Sequence, residues 1–328
     1  MRRWIIIAML LACTALACAY FIGRTGEVHV TSAAQTSSPG SDGSHDVGSG
    51  SEEKEPVHLN ASGRPTAPLP PSDMPLKDTF AELQARANAG EVAAATRLYR
   101  DLGLCSRFHG IDHANSRLAD ELLQQQVDDA DPQQLENYRV QLDAIEARKQ
   151  IMQRFRALCD GAGETMLGSL VPNLKKAAEL GEGYARACYL QKGPGFDSRH
   201  LMSHPEWLEA YRTSVSSLID AGVQAGDWRV VDILRHAYQP GADGPLAGVL
   251  GTDPYQYYRY LKLYRLGAES FRAEQLDPLV SEAAAQLTPA QLADADAWAQ
   301  TAFRQNFNSS SSTESTIQGW DPCSFPYE

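Results

Sequence analysis

The chain has 328 residues, with 29 Lys and Arg against 41 Asp and Glu and a formal net charge of −12 at pH 7, a length that suits one large domain or two small ones. Without Arg2 and Arg3 of the N-terminal segment, 27 basic residues face 41 acidic ones, a charge of −14. Such a surface repels a phosphate backbone and no basic patch interrupts it, so no nucleic-acid partner is expected.

Residues 1–23 read as a targeting segment. Met1-Arg2-Arg3 precedes twenty uncharged residues, WIIIAMLLACTALACAYFIG, an export-type basic start and apolar stretch. Three fates fit it. The run is long enough to span a bilayer as an uncleaved anchor. Ala15-Leu16-Ala17 has the small-x-small form of a signal-peptidase site, and LLAC ending at Cys13 or ALAC ending at Cys18 resembles a bacterial lipoprotein box. Each fate places the chain from about Arg24 onward in the cell envelope, either as a periplasmic domain tethered to the membrane or free in the periplasm once the signal is cleaved. The membrane is then a partner through the N-terminal segment only. Residues 24–75, rich in Ser, Gly and Pro as in SSPGSDGSHDVGSGSEEKEP, lack the apolar content to offset the entropy of ordering and are expected to form a disordered linker.

From 76 to 307 apolar residues recur at three- and four-residue steps, which predicts an all-α domain. LENYRVQLDAIEARKQIMQRFRALC carries the pattern most fully: Leu135, Tyr138, Leu142, Ile145, Ile151, Phe155 and Leu158 fall on or near one face, with Gly161 as the stop. TSVSSLID is β-branched in part but lies inside a helical phase from Trp207 to Ile219. Within the domain a frame recurs. Gly181 has Ala178 three before it, Ala185 four after and Tyr189 eight after; Ala87, Gly90, Ala94 and Leu98 repeat it, as do Val223, Gly226, Val230 and Leu234, with a weaker copy around Gly267. The glycines are 91, 45 and 41 residues apart, the first interval reading as about two units. Glycine ends one helix and turns the chain, small neighbours let the next helix approach, and the bulky residue fills the groove.

This A-x2-G-x3-A-x3-L/Y frame, followed by a glycine-rich loop and an aromatic second helix, resembles the Sel-one-like repeat, a relative of the tetratricopeptide repeat. The fullest unit runs from Gly226 to Ser270, with Tyr238, the glycine-rich loop, Asp253 and YQYYRYLKLY in the family's order. The resemblance covers about half of the chain; Val replaces Ala twice, and 104–163 has no glycine frame. It implies an α-solenoid of antiparallel helix pairs whose concave face binds proteins or peptides.

Outside the targeting segment four cysteines remain, Cys105, Cys159, Cys188 and Cys323, with no CxxC pair. In an oxidising compartment they predict two disulfides. Of three connectivities, the placement of Cys105 and Cys159 near helix ends favours that pair, leaving Cys188 with Cys323 to tie down the tail, 308–328, past a flexible NSSSSTES.

Two HxxxH stretches, His109 with His113 and His200 with His204, lie 19 and 23 residues after Gly90 and Gly181. On a helix such a pair shares a face and can chelate zinc or copper, with Asp112, Asp197 or Glu206 as a third ligand. Against this, Gly110 and Pro205 put both segments in or beside loops. The preferred reading is no metal, no cofactor and no catalytic residue: there is no G-x-S-x-G, phosphate loop or H-E-x-x-H, and nothing pairs two of the acids Asp128, Asp129, Asp131, Asp294 and Asp296 as general acid and base. Of the tyrosines in YQYYRYLKLY, Tyr257, Tyr260 and Tyr264 share a core face with Leu261, whereas Tyr258 lies off that stripe and, if exposed, suits a binding hot spot. The function expected is a non-enzymatic, envelope-tethered protein-interaction scaffold. The alternatives are an envelope enzyme acting on peptidoglycan or sugar, and a metal-binding protein using the four histidines.

Overall fold

A computed structural model describes residues 67–127, 130–307, 310–312, 316 and 320–324. The targeting segment and residues 24–66 of the expected linker lie outside the described residues. Among those described, all regular structure is helical and no helix is long and apolar enough to cross a membrane. The helices are α1 (Leu76–Asn88), α2 (Val92–Leu123), α3 (Pro132–Leu158), α4 (Glu164–Leu167), α5 (Leu170–Glu179), α6 (Gly183–Lys192), α7 (Ser198–Leu201), α8 (Glu206–Gln224), α9 (Trp228–Ala237), α10 (Pro245–Leu250), α11 (Pro254–Leu266), α12 (Ser270–Ala284) and α13 (Pro289–Ala302).

The recurring glycines sit where one helix turns into the next. At Gly90, Gly181 and Gly226 the backbone is left-handed, φ 93°, 97° and 68°, a conformation that a Cβ would strain. Each turn repeats the same bonds: the glycine N–H donates to the carbonyl three residues back, and the following N–H to the one five residues back, as in Gly181 to Ala178 at 3.1 Å and Glu182 to Ala177 at 3.0 Å. This is the Schellman closure of a helix C-terminus. The frame's small residues Ala87, Ala94, Ala178, Ala185 and Val230 are buried, as are Leu98, Tyr189 and Leu234. An acid follows each of these glycines and caps or braces the turn: Glu91 takes Arg86, Glu182 accepts from Ala185 N–H, and Asp227 accepts from Arg229 N–H at 3.1 Å. Other helices begin at Asp-Pro or Thr-Pro: Asp131, Asp253 and Thr288 accept from first-turn N–H groups ahead of a proline that needs no acceptor there.

Gly267 departs from the pattern. It caps α11 with an ordinary φ of −89°, and its requirement is steric: a Cβ there would lie 2.2 Å from Cζ2 of the buried Trp228 indole. Gly267→Ala is therefore expected to lower stability by about 1–3 kcal/mol through overpacking, read as a fall in the urea midpoint at constant m-value.

Helices pack in chain order, α1 on α2, α2 on α5, α5 on α6, α6 on α9, α9 on α11, and α11 on both α12 and α13. The 91-residue interval holds four helices, α2 to α5, with a further left-handed glycine, Gly161 at φ 69°, between α3 and α4. Most of its length is a long hairpin in which α2 runs on for 32 residues and the 27-residue α3 packs back against it. Cys105 and Cys159 close the root of that hairpin as a disulfide, and Cys188 pairs with Cys323. The expected stripe on α3 is only partly covered: Leu158 is buried, Tyr138, Ile145 and Phe155 are half-buried, and Leu135, Leu142 and Ile151 are exposed. The reason is that α2 covers only part of the α3 surface.

Two segments expected to be loose are seated where they are described. In residues 67–75 of the linker, Arg86 donates to the carbonyls of Ala67 and Pro68, and Arg97 to those of Pro70 and Pro71. In the serine-rich tail, Trp228 Nε1 donates to the Ser310 carbonyl at 3.1 Å, and Ser312 N–H donates to the Gly267 carbonyl at 2.9 Å. Ser312 and Phe307 are fully buried.

Burial holds several phenols protonated: Tyr189 and Tyr260 are each pushed up to about 12, and Tyr99 and Tyr211 are raised further. Because the unfolded phenol ionises near 10, stability is complete below pH 10 and is lost as pH rises toward the folded values, by about 1.4 kcal/mol per pH unit for each such tyrosine. Alkaline titration at 295 nm is expected to show these phenols ionising together with unfolding.

Candidate interaction surface

The histidines do not form two equivalent pairs. His109, Gly110 and His113 all lie inside α2 rather than in a loop, because the helix runs through the glycine to Leu123. His200 stands in the one-turn helix α7 and His204 in the turn before α8. His200 Nδ1 lies 2.8 Å from the buried Asp197 carboxylate and its Nε2 3.2 Å from Glu164, while His204 meets Glu206 at 2.8 Å and stacks on Trp207 with ring centres 4.5 Å apart. Each of these two rings is thus tied to its own carboxylates. Among the described residues, no group of three or more His, Cys, Asp or Glu is placed to hold a metal ion.

Tyr258 is not exposed. It is 3% accessible, and its hydroxyl donates to Asp296 at 2.9 Å, with Lys262 Nζ 3.0 Å from the same carboxylate. Helix α11 is enclosed by α9, α12 and α13, so residues off the main stripe are buried too. Tyr255 donates to Asp294. Two of the acids considered for catalysis therefore receive tyrosine hydroxyls, and Asp131 is an N-cap.

Among the described residues, two concave features bear on function. The first is a cleft of about 390 Å³ between the C-terminal ends of α6 and α9, the glycine-rich loop and α10. Ile233 and Leu246 line it beside Gln191, His236, Gln239 and Asp243. Burial, reinforced by Arg235, lowers the His236 imidazole below its ordinary value and keeps it neutral at pH 7. Asp243 is the one carboxylate on this lining, so the cleft holds no facing acid pair.

The second is a groove of about 300 Å³ along the hairpin, where Leu118 and Ala119 of α2 face Ile145 and Met152 of α3, flanked by Lys149 and Arg156. Leu142 and Leu135 continue the face, three and ten residues before Ile145, at the spacing of one helical stripe. Of the large apolar side chains exposed among the described residues, half belong to this hairpin: Leu118, Leu123, Leu135, Val140, Leu142 and Ile151. The sequence stripe gave the signal for this surface. A stripe marks a face but does not reveal how many neighbours a helix has. No family model, curated protein or solved structure matches the chain.

Proposed function

We propose that the chain is a non-enzymatic, envelope-tethered interaction scaffold: a Sel-one-like α-solenoid that carries the α2/α3 hairpin as its docking arm. The observation that supports this most directly is the exposure of Leu118, Leu135 and Leu142 beside the apolar lining of the hairpin groove, since exposed apolar surface of this kind marks interaction sites. Two disulfides suit a compartment outside the cytoplasm, and a Ser/Gly/Pro-rich linker gives the arm reach from the membrane. The test is affinity capture with the full chain against a Leu118→Glu, Leu142→Glu variant. Both positions are exposed, so the variant keeps its fold; loss of the captured protein supports the arm as the docking site, and unchanged capture overturns it. A second reading attaches to the polar cleft beside α10, whose Gln191, Gln239 and Asp243 suit a sugar or peptide ligand. Saturable binding of a peptidoglycan fragment, abolished by Asp243→Ala, would favour it.

A further inference from the structure

The segment that leads into α1 is gripped by two arginines at a fixed register. Arg86, in the last turn of α1, donates from Nη2 to the Ala67 carbonyl at 2.6 Å and from Nη1 to that of Pro68 at 3.0 Å. Arg97, near the start of α2, donates from Nη1 to the Pro70 carbonyl at 3.0 Å and from Nη2 to that of Pro71 at 3.1 Å. Each guanidinium spans two consecutive carbonyls. Leu69, skipped between them, packs against the cluster of Leu76, Leu83, Leu98 and Leu102. Both forks are aimed by a second contact: Glu91 holds Arg86 Nε at 2.7 Å and Asp101 holds Arg97 Nε at 2.7 Å, and each arginine side chain is only 16% exposed.

This is the way a receptor holds an extended peptide: through its backbone, with one apolar side chain setting the register. Proline fixes its own φ and biases the residue before it toward extended backbone. Ala-Pro-Leu-Pro-Pro therefore arrives close to the shape that lays four carbonyls on two forks, and little conformational entropy is lost on seating it. Ala67, Pro68 and Pro71 are exposed, so the hold on the segment is made by the carbonyl bonds and the Leu69 seat rather than by burial of the whole strand.

We propose that Arg86, Arg97 and the apolar seat of Leu69 form a recognition site for an extended peptide of the register x-Pro-Leu-Pro-Pro, with the chain's own residues 67–71 as its resident occupant. A partner that presents this register docks by displacing them. The resident segment competes at the high effective concentration of a short tether. A free peptide therefore binds with its intrinsic dissociation constant divided by the fraction of chains whose own segment is off. The site shares no lining residue with the α2/α3 groove, and its test does not draw on that groove.

The experiment uses the full chain in detergent solution and a fluorescent peptide of residues 67–73, APLPPSD. A chain carrying Pro68→Gly, Pro70→Gly and Pro71→Gly, whose own segment no longer keeps the register, is expected to bind the peptide about tenfold more tightly than the parent, in proportion to its larger open fraction. Adding Arg86→Lys and Arg97→Lys to that chain is expected to weaken binding about tenfold, because lysine keeps the charge opposite Glu91 and Asp101 but offers one point donor where two carbonyls must be spanned. The peptide AGLGGSD is expected not to bind. Unchanged helical circular dichroism shows that each variant is folded. Equal affinity for the parent and the opened chain, binding that survives the lysine pair, or equal binding of AGLGGSD overturns the proposal. A measurement on the parent chain needs no variant to fold: APLPPSD with photoleucine in place of its leucine, at millimolar concentration, is expected to link to α1 or α2 between residues 76 and 102. Links confined to other residues, or no link, overturn the site.

Discussion

A chain carrying Cys188→Ala and Cys323→Ala is expected to lose about 5 kcal/mol of unfolding free energy, more than any other pairwise change considered for this protein. The bond links positions 135 apart in sequence, and closing so long a loop removes about 5 kcal/mol of chain entropy from the unfolded state, against about 4 for the 54-residue separation of Cys105 and Cys159. In the folded state it fastens the tail to α6, while Ser310 and Ser312 hold the same tail to Trp228 and to the end of α11. Set against the 5–15 kcal/mol typical of a domain, the loss is large enough to populate unfolded chain at physiological temperature. Urea titration of the double variant measures it, and an unchanged midpoint would exclude a stabilising role for the bond. In the oxidised, denatured parent chain, none of the four cysteines should accept a thiol label.

The second large effect is expected at Asp227. Its side chain is 7% exposed and lies between two arginines, accepting from Arg229 Nε at 2.8 Å and Nη2 at 3.1 Å, with Arg186 Nη1 at 3.7 Å. Arg186 is itself buried, its Nε has no hydrogen-bond partner, and the Asp227 carboxylate stands beside it as counter-charge. Asp227→Ala leaves that guanidinium buried without compensation and opens the α9 N-cap, at a cost of about 3–5 kcal/mol. Adding Arg186→Met to Asp227→Ala is expected to recover part of the loss, because the second change removes the stranded charge. A single variant within 1 kcal/mol of the parent, or a double variant that is less stable than Asp227→Ala, would show that the pair does not act as a unit.

Local chemistry was legible in the residues themselves. Left-handed turns need glycine, close helix crossings need alanine, and a helix that begins at Asp-Pro or Thr-Pro needs no tertiary partner to declare its start, so Gly90, Gly181, Gly226, Asp253 and Thr288 stand where their types predict. The acid after Gly90, Gly181 and Gly226 carries equal information. It belongs to the turn as much as the glycine does, because it caps the next helix or ties the turn to its neighbours. Gly267 stands between helices for a reason the frame does not contain, since its neighbour Trp228 lies 39 residues away in sequence.

The candidate site divides along the same line. Periodicity marked apolar residues on α3 and the tyrosines on α11, and in both cases the number of covering helices decided their fate. One neighbour leaves Leu142 in solvent; three bury Tyr258. By itself the sequence determined where helices start, where they turn and which residues are small at the turns, because these depend on backbone conformation and bonds within a few residues. Only the tertiary structure decided that α2 and α3 pair as a long hairpin, that His200 answers to Asp197 and Glu164, and that Ser312 is buried. Those outcomes depend on which surfaces meet, and burial is a property of the partner as much as of the residue.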